Sequence, residues 1–466
     1  MRDEELEALF QPLAGFEHLL LAVSGGADSL ALLLLAHRWQ ATAHARSRAH
    51  RRIKPPRLTV AAIDHGLRPE AADEVAHVAT VAGRLDIPFV TRRLDLTRTA
   101  DQPISQAHAR SARYDALCAL AEENTCDAIV TAHHADDQAE TFLMRLARGS
   151  SARGLAGIAP RRDLCVMRPD GSDNAPPATC ALVRPLLNVP RARLAVTLEQ
   201  AGIAWHDDPT NADVHYERTR VRSALGALED AGVSRAAINR TASRLRQHAD
   251  AVDWAVREAL AAAPELAQAW KCSACAVLER HRYEALPAAV RICALGALTT
   301  AVSGRTSEPF AHLPAARLTQ LETLADALID VTAPAAWTLG GCALSVGETQ
   351  LTIARELGRA GLGTCAVNEA AAATGWDNRF VVRPPAAQEG RRPAQIFAWG
   401  ERGQYAPGTD RPQLSWCDKV PAAARPAMPV VFTNMLHVPV HAPTPRDDAW
   451  TYEVCQPPWR SEGGPG

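Results

Sequence analysis

Short apolar runs alternate with longer amphipathic stretches over the first part of the chain. The runs at 19–23, 58–63, 88–94 and 128–132 have the length and composition of buried strands. The stretches between them carry apolar residues at helical spacing. Strands and helices that alternate in this way predict an α/β fold, with a doubly wound parallel sheet and right-handed crossovers.

The pattern changes along the rest of the chain. Helical periodicity predominates after residue 216 and fades after residue 365, where proline and glycine become frequent. A glycine-containing hairpin is predicted over 335–354. We therefore predict three domains, which are a sheet domain over 1–215, a helical linking domain over 216–330 and a divergent C-terminal α+β region over 331–466.

Charge and cysteine content limit the function classes. The chain has 50 Lys and Arg residues against 52 Asp and Glu, so contacts with nucleic acid must come from local patches. One such patch is the arginine-rich segment 41–57, which is predicted to be a surface insertion because it ends near two prolines. Eleven irregularly spaced cysteines, no signal peptide and no bilayer-length apolar run predict a cytoplasmic protein that does not enter the membrane.

The first apolar run leads into a glycine turn with the features of a phosphate-binding loop. The string Ser-Gly-Gly-Ala-Asp-Ser lies between the predicted strand and a predicted helix. Glycines allow a phosphate to approach the backbone closely, and a helix N-terminus offers N–H groups and the positive end of its dipole. The lysine of a Walker loop is absent. The predicted phosphate-binding residues are Ser24, Gly25, Gly26, Ala27, Asp28 and Ser29, and Asp28 could also hold Mg²⁺.

Polar segments also follow the second and fourth predicted strands. The turn at 64–66 follows the second, and a run of histidines and acids at 133–140 follows the fourth. The carboxyl ends of parallel strands meet at one sheet edge, so these segments and the glycine loop should line one crevice. Asp136 and Asp137 lie four and three residues before Glu140, on one helical face. They could hold Mg²⁺, bind a substrate ammonium, or simply complement a helix dipole.

Arginines follow these acids in two groups. The first lies in a glycine-containing segment without an intervening acid, and in the second arginines alternate with other residues. Both patterns fit contact with phosphates, although a solvated helix start would show the second pattern as well. The first group is Arg145, Arg148, Arg153, Arg161 and Arg162, and the second is Arg218, Arg220 and Arg222.

Five motifs in sequence order make the combination specific. They are SGGADS at 24–29, DHGLR at 64–68, ARSARY at 109–114, HHADDQAET at 133–141, and DPTN at 208–211 with RTRVR at 218–222. Together they resemble the tRNA(Ile)-lysidine synthase family of PP-loop ATP pyrophosphatases, whose sheet is of the adenine-nucleotide α-hydrolase-like type. Thr219 replaces the asparagine that is usual in the family, and the C-terminal part resembles the family's tRNA-binding appendage only loosely.

The resemblance implies an ATP-dependent ligase that modifies tRNA. ATP would adenylate the C2 oxygen of the wobble cytidine in the CAU anticodon of tRNA(Ile), with release of pyrophosphate. The ε-amine of L-lysine would then attack C2 and expel AMP, which forms lysidine. An amide-like oxygen leaves readily only as a phosphoryl ester, and the amine must lose a proton before it attacks. ATP and Mg²⁺ would be required, and a homodimer could form.

The resemblance also assigns roles to individual residues, although it leaves open which of Arg110 and Arg113, and which of Arg218 and Arg220, faces the phosphates. The catalytic set would be Asp28, Arg113, Asp137, Glu140 and Arg220. Asp64, His65 and Arg110 would join residues 24–29 at the nucleotide, and His133, Asp137 and Glu140 would bind lysine. Asp28 and Asp136 would hold the metal, and the residues in contact with tRNA would be Arg145, Arg148, Arg153, Arg218 and Arg222.

Other PP-loop functions remain as alternatives. Enzymes that 2-thiolate tRNA usually have lysine in place of Ala27 and paired cysteines, whereas Cys118 and Cys126 lie eight residues apart without a CxxC. An amidating synthetase would need a glutaminase partner, which is not evident in the sequence. An inactive RNA-binding relative is a third alternative, against which the intact loop and acids argue.

Overall fold

The computed structural model of the chain describes most of its residues, in two compact units. The described residues are 1–50, 55–66, 70–94, 106–165, 179–206, 217–304, 315–359, 361–366, 374–383, 394–401, 420–433, 436–438 and 451–455. The first unit is Met1–Met167 with Ala178–Gln247, and the second includes His248–Gly466. The division into three domains at residues 215 and 330 stays a prediction.

The first unit is built on a six-stranded sheet with the order β3-β2-β1-β4-β6-β5. Its strands are β1 (His18–Ala22), β2 (Arg57–Asp64), β3 (Phe89–Arg93), β4 (Ala128–Val130), β5 (Arg161–Cys165) and β6 (Thr179–Val183). All neighbours pair in parallel except the edge strand β5, which is antiparallel to β6. The predicted α/β fold with a mostly parallel sheet is confirmed.

The first unit has helices that cover both faces of this sheet and others that pack against one another beside it. They are α1 (Asp3–Phe10), α2 (Ala27–His50), α3 (Glu70–Arg84), α4 (Gln106–Glu123), α5 (Ala135–Leu146), α6 (Ala152–Leu155), α7 (Arg191–Ala201), α8 (Glu217–Asp230) and the start of α9 (Arg235–Ala261). Successive side chains of a strand point to opposite faces. Leu19 and Leu21 of β1 therefore join the core beneath α2, while Leu20 packs with Leu117 of α4. This double burial explains why β1 is apolar from Leu19 to Ala22.

Helix α2 is longer than the sequence pattern suggested. The segment 41–57 was expected to be a surface insertion, but α2 continues to His50 and β2 begins at Arg57. Alanine, arginine and glutamine favour helix, and between residue 41 and Pro55 the sequence contains no glycine or proline that would end the helix. The structure does not describe residues 51–54 or the side chains of 44–50, so contact of this segment with RNA lies outside the described residues.

The second unit combines helices with antiparallel sheets. Its helices are the rest of α9, α10 (Pro264–Ser273), α11 (Arg280–Glu284), α12 (Ala288–Val302) and α13 (Ala315–Ala327), and its first sheet contains β7 (Ala276–Glu279), β8 (Ala335–Leu339), β9 (Cys342–Val346) and β10 (Gln350–Arg355). The sheet order is β7-β10-β9-β8, which confirms the hairpin predicted over 335–354. The prediction of continuous helix was wrong at β7, because pairing with β10 overrides the local pattern of this short apolar run.

Two small sheets follow in the C-terminal part. They have the orders β11-β14-β15-β16 and β12-β13-β17, with strands β11 (Cys365–Ala366), β12 (Thr374–Trp376), β13 (Phe380–Arg383), β14 (Ala394–Ala398), β15 (Pro429–Thr433), β16 (Leu436–Val438) and β17 (Thr451–Val454). Every pair within them is antiparallel. Across the described part of the chain, none of the helices has the length and apolar character needed to cross a bilayer.

Candidate active site

A cleft of about 270 Å³ opens at the carboxyl ends of β1, β2 and β4. Parallel sheets of this type bind ligands at this edge. The polar lining includes Ser24, Gly26, Asp28 and Ser29 after β1, His65 after β2, His133 and Asp137 after β4, Arg110 and Arg113 from α4, and Arg218 from α8. The three segments that follow strand ends therefore converge, as the strand pattern predicts.

The glycine loop holds itself in shape through its two serines. Ser29 Oγ donates to the carbonyl of Gly26 at 2.9 Å and accepts the backbone N–H of Ser24 at 3.1 Å. Gly25 has φ +84°, a left-handed conformation that favours glycine. Ala27 begins α2 directly after the loop, so the helix N-terminus faces the cleft. This arrangement suits an anion.

His134 connects the glycine loop to the acids of α5. Its Nε2 lies 3.4 Å from Asp28 Oδ2 and 3.6 Å from Asp137 Oδ2. Its Nδ1 accepts the backbone N–H of Asp137, and Asp137 Oδ2 in turn accepts the N–H of His134, so the pair forms a capping box at the start of α5. The sequence pattern singled out His133 and missed this function of its neighbour.

The two partners in this contact shift each other's pKa. Burial alone would raise the pKa of Asp28, but His134 and Arg191 outweigh it, and the pKa lies below its ordinary value. Burial would lower the pKa of His134, but Asp28 and Asp137 outweigh it and raise the pKa. The carboxylate form of Asp28 is therefore favoured in the folded protein.

Asp136 takes part in a different contact from its neighbour. Its Oδ1 accepts the backbone N–H of Arg191 at 3.0 Å, and its Oδ2 lies 3.6 Å from Arg235 Nε. Arg191 Nε also lies 3.5 Å from Asp28 Oδ1. Arg191, the first residue of α7, thus contacts two of the predicted metal-binding acids, and no sequence motif marked it. The metal-binding role of Asp136 stays a prediction.

Glu140 is buried and bonded to two arginines of α8. Its side chain is 2% exposed, with Oε2 at 2.7 Å from Arg218 Nε and Oε1 at 2.5 Å from Arg222 Nε. Arg218 also donates through Nη2 to Asp137 Oδ1 at 2.9 Å. Because α8 is helical, residues four apart share a face, whereas Arg220 is exposed on the other side and does not line the cleft. The catalytic role of Arg220 stays a prediction.

A second cationic group surrounds Tyr114 on α4. The guanidinium carbons of Arg110 and Arg113 lie 5.2 Å and 5.8 Å from the centre of its ring, and Arg110 Nη2 is 3.3 Å from its hydroxyl. Burial would raise the pKa of Tyr114, but Arg110, Arg184 and Arg113 outweigh it and lower the pKa. Burial and, next, the charge of Arg184 lower the pKa of His133 to about 2, so this imidazole is neutral.

The other predicted site residues have varied surroundings. Asp64 Oδ1 accepts the N–H of Gly66 at 2.8 Å, beside His65 at the cleft. Arg145 Nη1 donates to the carbonyls of Gly154 and Gly157 at 2.7 Å and 2.8 Å, which ties α5 to the turn around α6. Arg148 and Arg153 belong to the same group of arginines as Arg145. Arg148 is exposed and pairs with Glu217, and Arg153 is partly exposed. Their roles toward tRNA stay predictions.

The carboxylates that line the cleft fit a magnesium ion. Asp28 Oδ1 is buried and accepts no hydrogen bond, and Asp137 lines the same cleft. Mg²⁺ in nucleotide sites usually takes one or two carboxylates together with phosphate oxygens and water. Among the described residues, no cluster of three or more histidine, cysteine or acidic side chains suits a metal held by protein alone. Asp28 and Asp137 are the acids that could share a metal with a bound phosphate.

Comparison with known sequences identifies the family of the chain. Residues 2–229 match the family model of the PP-loop domain, so the first unit defines a PP-loop protein. The tRNA(Ile)-lysidine synthase of Bradyrhizobium sp. (strain BTAi1 / ATCC BAA-1182) is 43% identical over 249 residues, which are 53% of this chain and 63% of that protein. The tRNA(Ile)-lysidine synthase of Methylobacterium sp. (strain 4-46) is 38% identical over 348 residues, 72% of this chain and 88% of that protein. The chain belongs to the tRNA(Ile)-lysidine synthase family.

The match to these relatives varies in extent. The chain spans just under two thirds of the Bradyrhizobium protein's length, at 63%, and most of the Methylobacterium one. Among solved structures, the U34-tRNA thiolase NcsA from Methanococcus maripaludis has a TM-score of 0.41 and 16% identity, over 53% of this chain and 78% of that chain.

Proposed function

We propose that this protein is an ATP-dependent ligase that joins L-lysine to C2 of the wobble cytidine of a CAU-anticodon tRNA(Ile), through an adenylated cytidine. The observation that supports this most directly is the contact of His134 with both Asp28 and Asp137. It joins the glycine loop, which would bind the nucleotide, to an acid that would bind the amine, and residues of both line a single cleft. The family of the chain and the names of its relatives agree with this reaction.

In the first step the cleft would activate the base. The backbone of the glycine loop and the N-terminus of α2 would bind the phosphates of ATP, with Arg110 and Arg113 on the opposite wall. Asp28 and Asp137 would hold Mg²⁺, which when bound neutralises phosphate charge. The cytidine C2 oxygen attacks the α-phosphorus, a P–O bond to pyrophosphate breaks, and pyrophosphate leaves.

In the second step the amine would replace AMP. Asp137 and Glu140 would receive the lysine ammonium, and a carboxylate would accept its proton as nitrogen bonds to C2. The C2–O bond then breaks and AMP leaves with the electron pair. His133, which is neutral because of burial and nearby arginines, can accept a hydrogen bond from the amine without repelling it.

The cysteines of the first unit favour ligation over sulfur transfer. Thiol chemistry requires thiolates, yet burial raises the pKa of Cys126 to about 12 and that of Cys180 to about 11. Neither residue lines the cleft, and neither does Cys118. A sulfur carrier would need a reactive thiol at the nucleotide.

A direct assay tests the proposal. The full chain is incubated with ATP, Mg²⁺, labelled lysine and the CAU-anticodon tRNA(Ile), and a tRNA with uridine at the wobble position serves as the matched control. We expect lysine in the first tRNA only, with AMP and pyrophosphate released in equal amounts. Asp28→Ala and Asp137→Ala should lose this activity while they keep the wild-type circular dichroism spectrum. Failure of lysine to enter the CAU-anticodon tRNA, or its equal entry into the control tRNA, would overturn the proposal.

A further inference from the structure

Every carboxylate oxygen of the proposed amine site already has a partner. Asp137 Oδ1 and Glu140 Oε2 contact Arg218, and Glu140 Oε1 contacts Arg222. The remaining oxygen, Asp137 Oδ2, accepts the backbone N–H of His134. A lysine ammonium has three donors and needs such oxygens. A carboxylate oxygen can accept more than one hydrogen bond, but Arg218 bridges Asp137 Oδ1 and Glu140 Oε2 and so occupies the position between the two acids. A substrate ammonium can take that position only if Arg218 leaves.

Arg218 is the cation that can leave. It lines the cleft and its side chain is 43% exposed, whereas Arg222 does not line the cleft and, among the described residues, bonds to Glu140 alone. Glu140 is 2% exposed, so loss of both arginines would leave a buried, uncompensated charge. Departure of Arg218 alone frees one oxygen of each acid, while Arg222 still compensates Glu140.

The glycine loop lies in the same cleft as Arg218. A guanidinium forms two parallel hydrogen bonds with a phosphate as readily as with a carboxylate. A polyphosphate bound at the loop would thus offer Arg218 an alternative anion within the cleft. Among the described residues, Asp137 and Glu140 are its ion-pair partners.

From these contacts we propose that Arg218 is a placeholder for the substrate ammonium, which bound nucleotide draws from the acids so that lysine can bind in its place. This inference rests on the proposed function, because it takes the amine and the nucleotide as ligands of one cleft. Binding of lysine and nucleotide is then coupled, and by linkage each raises the affinity of the other by the same factor. The site stays closed to free lysine until the nucleotide is present.

Calorimetric titration of the full chain measures this coupling. L-lysine is titrated with and without a saturating non-hydrolysable ATP analogue, adenylyl imidodiphosphate with Mg²⁺, and the analogue is titrated with and without saturating lysine. We expect each ligand to raise the affinity of the other by a common factor, within the roughly 5- to 150-fold range typical of allosteric coupling. In Arg218→Gln the factor should fall close to unity, because lysine affinity without nucleotide rises.

Two further variants make the result specific. Arg240→Gln removes the same charge from an exposed position on α9 that does not line the cleft, and it should keep the wild-type coupling factor. Arg218→Lys keeps a charge but not the two-acid contact, so it should fold normally and lose part of the coupling. If both ligands bind wild-type protein independently, or if Arg218→Gln and Arg218→Lys keep full coupling, the placeholder role is overturned. If neither ligand binds at all, the proposed function itself fails, and this inference with it.

Discussion

Arg222 of α8 and Glu140 of α5 form a charged hydrogen bond, with 2.5 Å between Nε and Oε1. The carboxylate is 2% exposed, and its second oxygen is bonded to Arg218. A buried carboxylate without compensation costs several kcal/mol, roughly 3–5 when a partner is removed. The pair therefore fixes α8 against α5, and it brings Arg218 to the cleft as a consequence.

Glu140→Gln should destabilise the first unit strongly. The amide keeps the size of the side chain but removes the carboxylate partner of Arg222 and leaves Arg218 with Asp137 alone, so we expect the free energy of unfolding to fall by about 2–3 kcal/mol. Urea denaturation followed by tryptophan fluorescence measures this change. Glu217→Gln is the matched control, since it breaks a more exposed pair with Arg148 and should cost less than about 1 kcal/mol. Equal losses in the two variants would contradict the structural role of Glu140.

The two glycines of the loop should respond differently to alanine. Gly25 has a positive φ, so Gly25→Ala should cost about 1–2 kcal/mol of stability through backbone strain. A Cβ at Gly26 would meet no atom closer than 3.9 Å, so the fold should tolerate it. Gly26 nevertheless lines the cleft, and in the proposed function its added Cβ would occupy space that a phosphate needs. Gly26→Ala should therefore weaken ATP binding at unchanged thermal stability; a fall in the melting temperature as large as that of Gly25→Ala would contradict this.

Asp28→Asn should lower the pKa of His134. Burial would depress this pKa, and contact with Asp28 is the main effect that raises it. Without that charge, the proton on the imidazole is lost at lower pH, which ¹⁵N–¹H correlation spectra of the ring nitrogens would detect. Asp64→Asn is the control, because Asp64 bonds to Gly66 and approaches Arg93 instead. An unchanged His134 titration in Asp28→Asn would show that the two side chains do not interact.

His133 should make the protein less stable in mild acid. Its pKa is about 2 when folded, far below the ordinary value of 6.5, so the unfolded chain binds a proton that the folded chain does not. Stability from this group is present above about pH 6.5 and is lost as pH falls, by up to about 1.4 kcal/mol at pH 5.5. His133→Asn should remove that part of the pH dependence, as measured by urea denaturation at pH 7.5 and 5.5. An identical pH dependence in the variant would contradict the low pKa.

Arg145 and Arg148 should differ in their effect on tRNA binding. Arg145 donates to two backbone carbonyls, so Arg145→Gln should cost about 1–3 kcal/mol of stability because those acceptors lose their partner. Exposed Arg148 can contact phosphates, and Arg148→Gln should reduce the slope of log affinity against log salt by about 0.7–0.9. Filter binding at several salt concentrations gives the slope for each variant. A wild-type slope in Arg148→Gln would remove this arginine from the interface.

The parts of the site that could be predicted are those whose pattern lies within a short stretch of the sequence. The glycine loop lies within one strand–loop–helix segment, so residues 24–29 carry its whole pattern. Strand-end placement likewise predicts the convergence at the cleft. The contacts inside the cleft depend on tertiary geometry: His133 and His134 are adjacent and identical in the sequence, yet only His134 caps α5 and touches Asp28. Arg191 follows a proline at an ordinary helix start and gave no signal at all.

The helical structure of α8 determines which of its arginines contact Glu140. Their alternation fits either an extended segment or a helix, and only in a helix do Arg218 and Arg222 share a face that can close on Glu140. β7 is the converse case, because its few apolar residues become a strand through a partner more than 70 residues away. Pairing over that distance is invisible to any local pattern.

At position 134, helix initiation and site geometry depend on the same side chain. One ring nitrogen caps α5 and the other faces Asp28, so the imidazole serves two neighbours at opposite edges. Serine and asparagine are preferred caps at helix N-termini, yet neither side chain is long enough to cap α5 and also place a polar atom against Asp28. Substitution of His134 by either residue would keep the cap of α5 but remove the contact between α5 and Asp28 of the glycine loop. At position 134 we therefore expect a screen for thermostability to select serine or asparagine, and a screen for activity to select histidine.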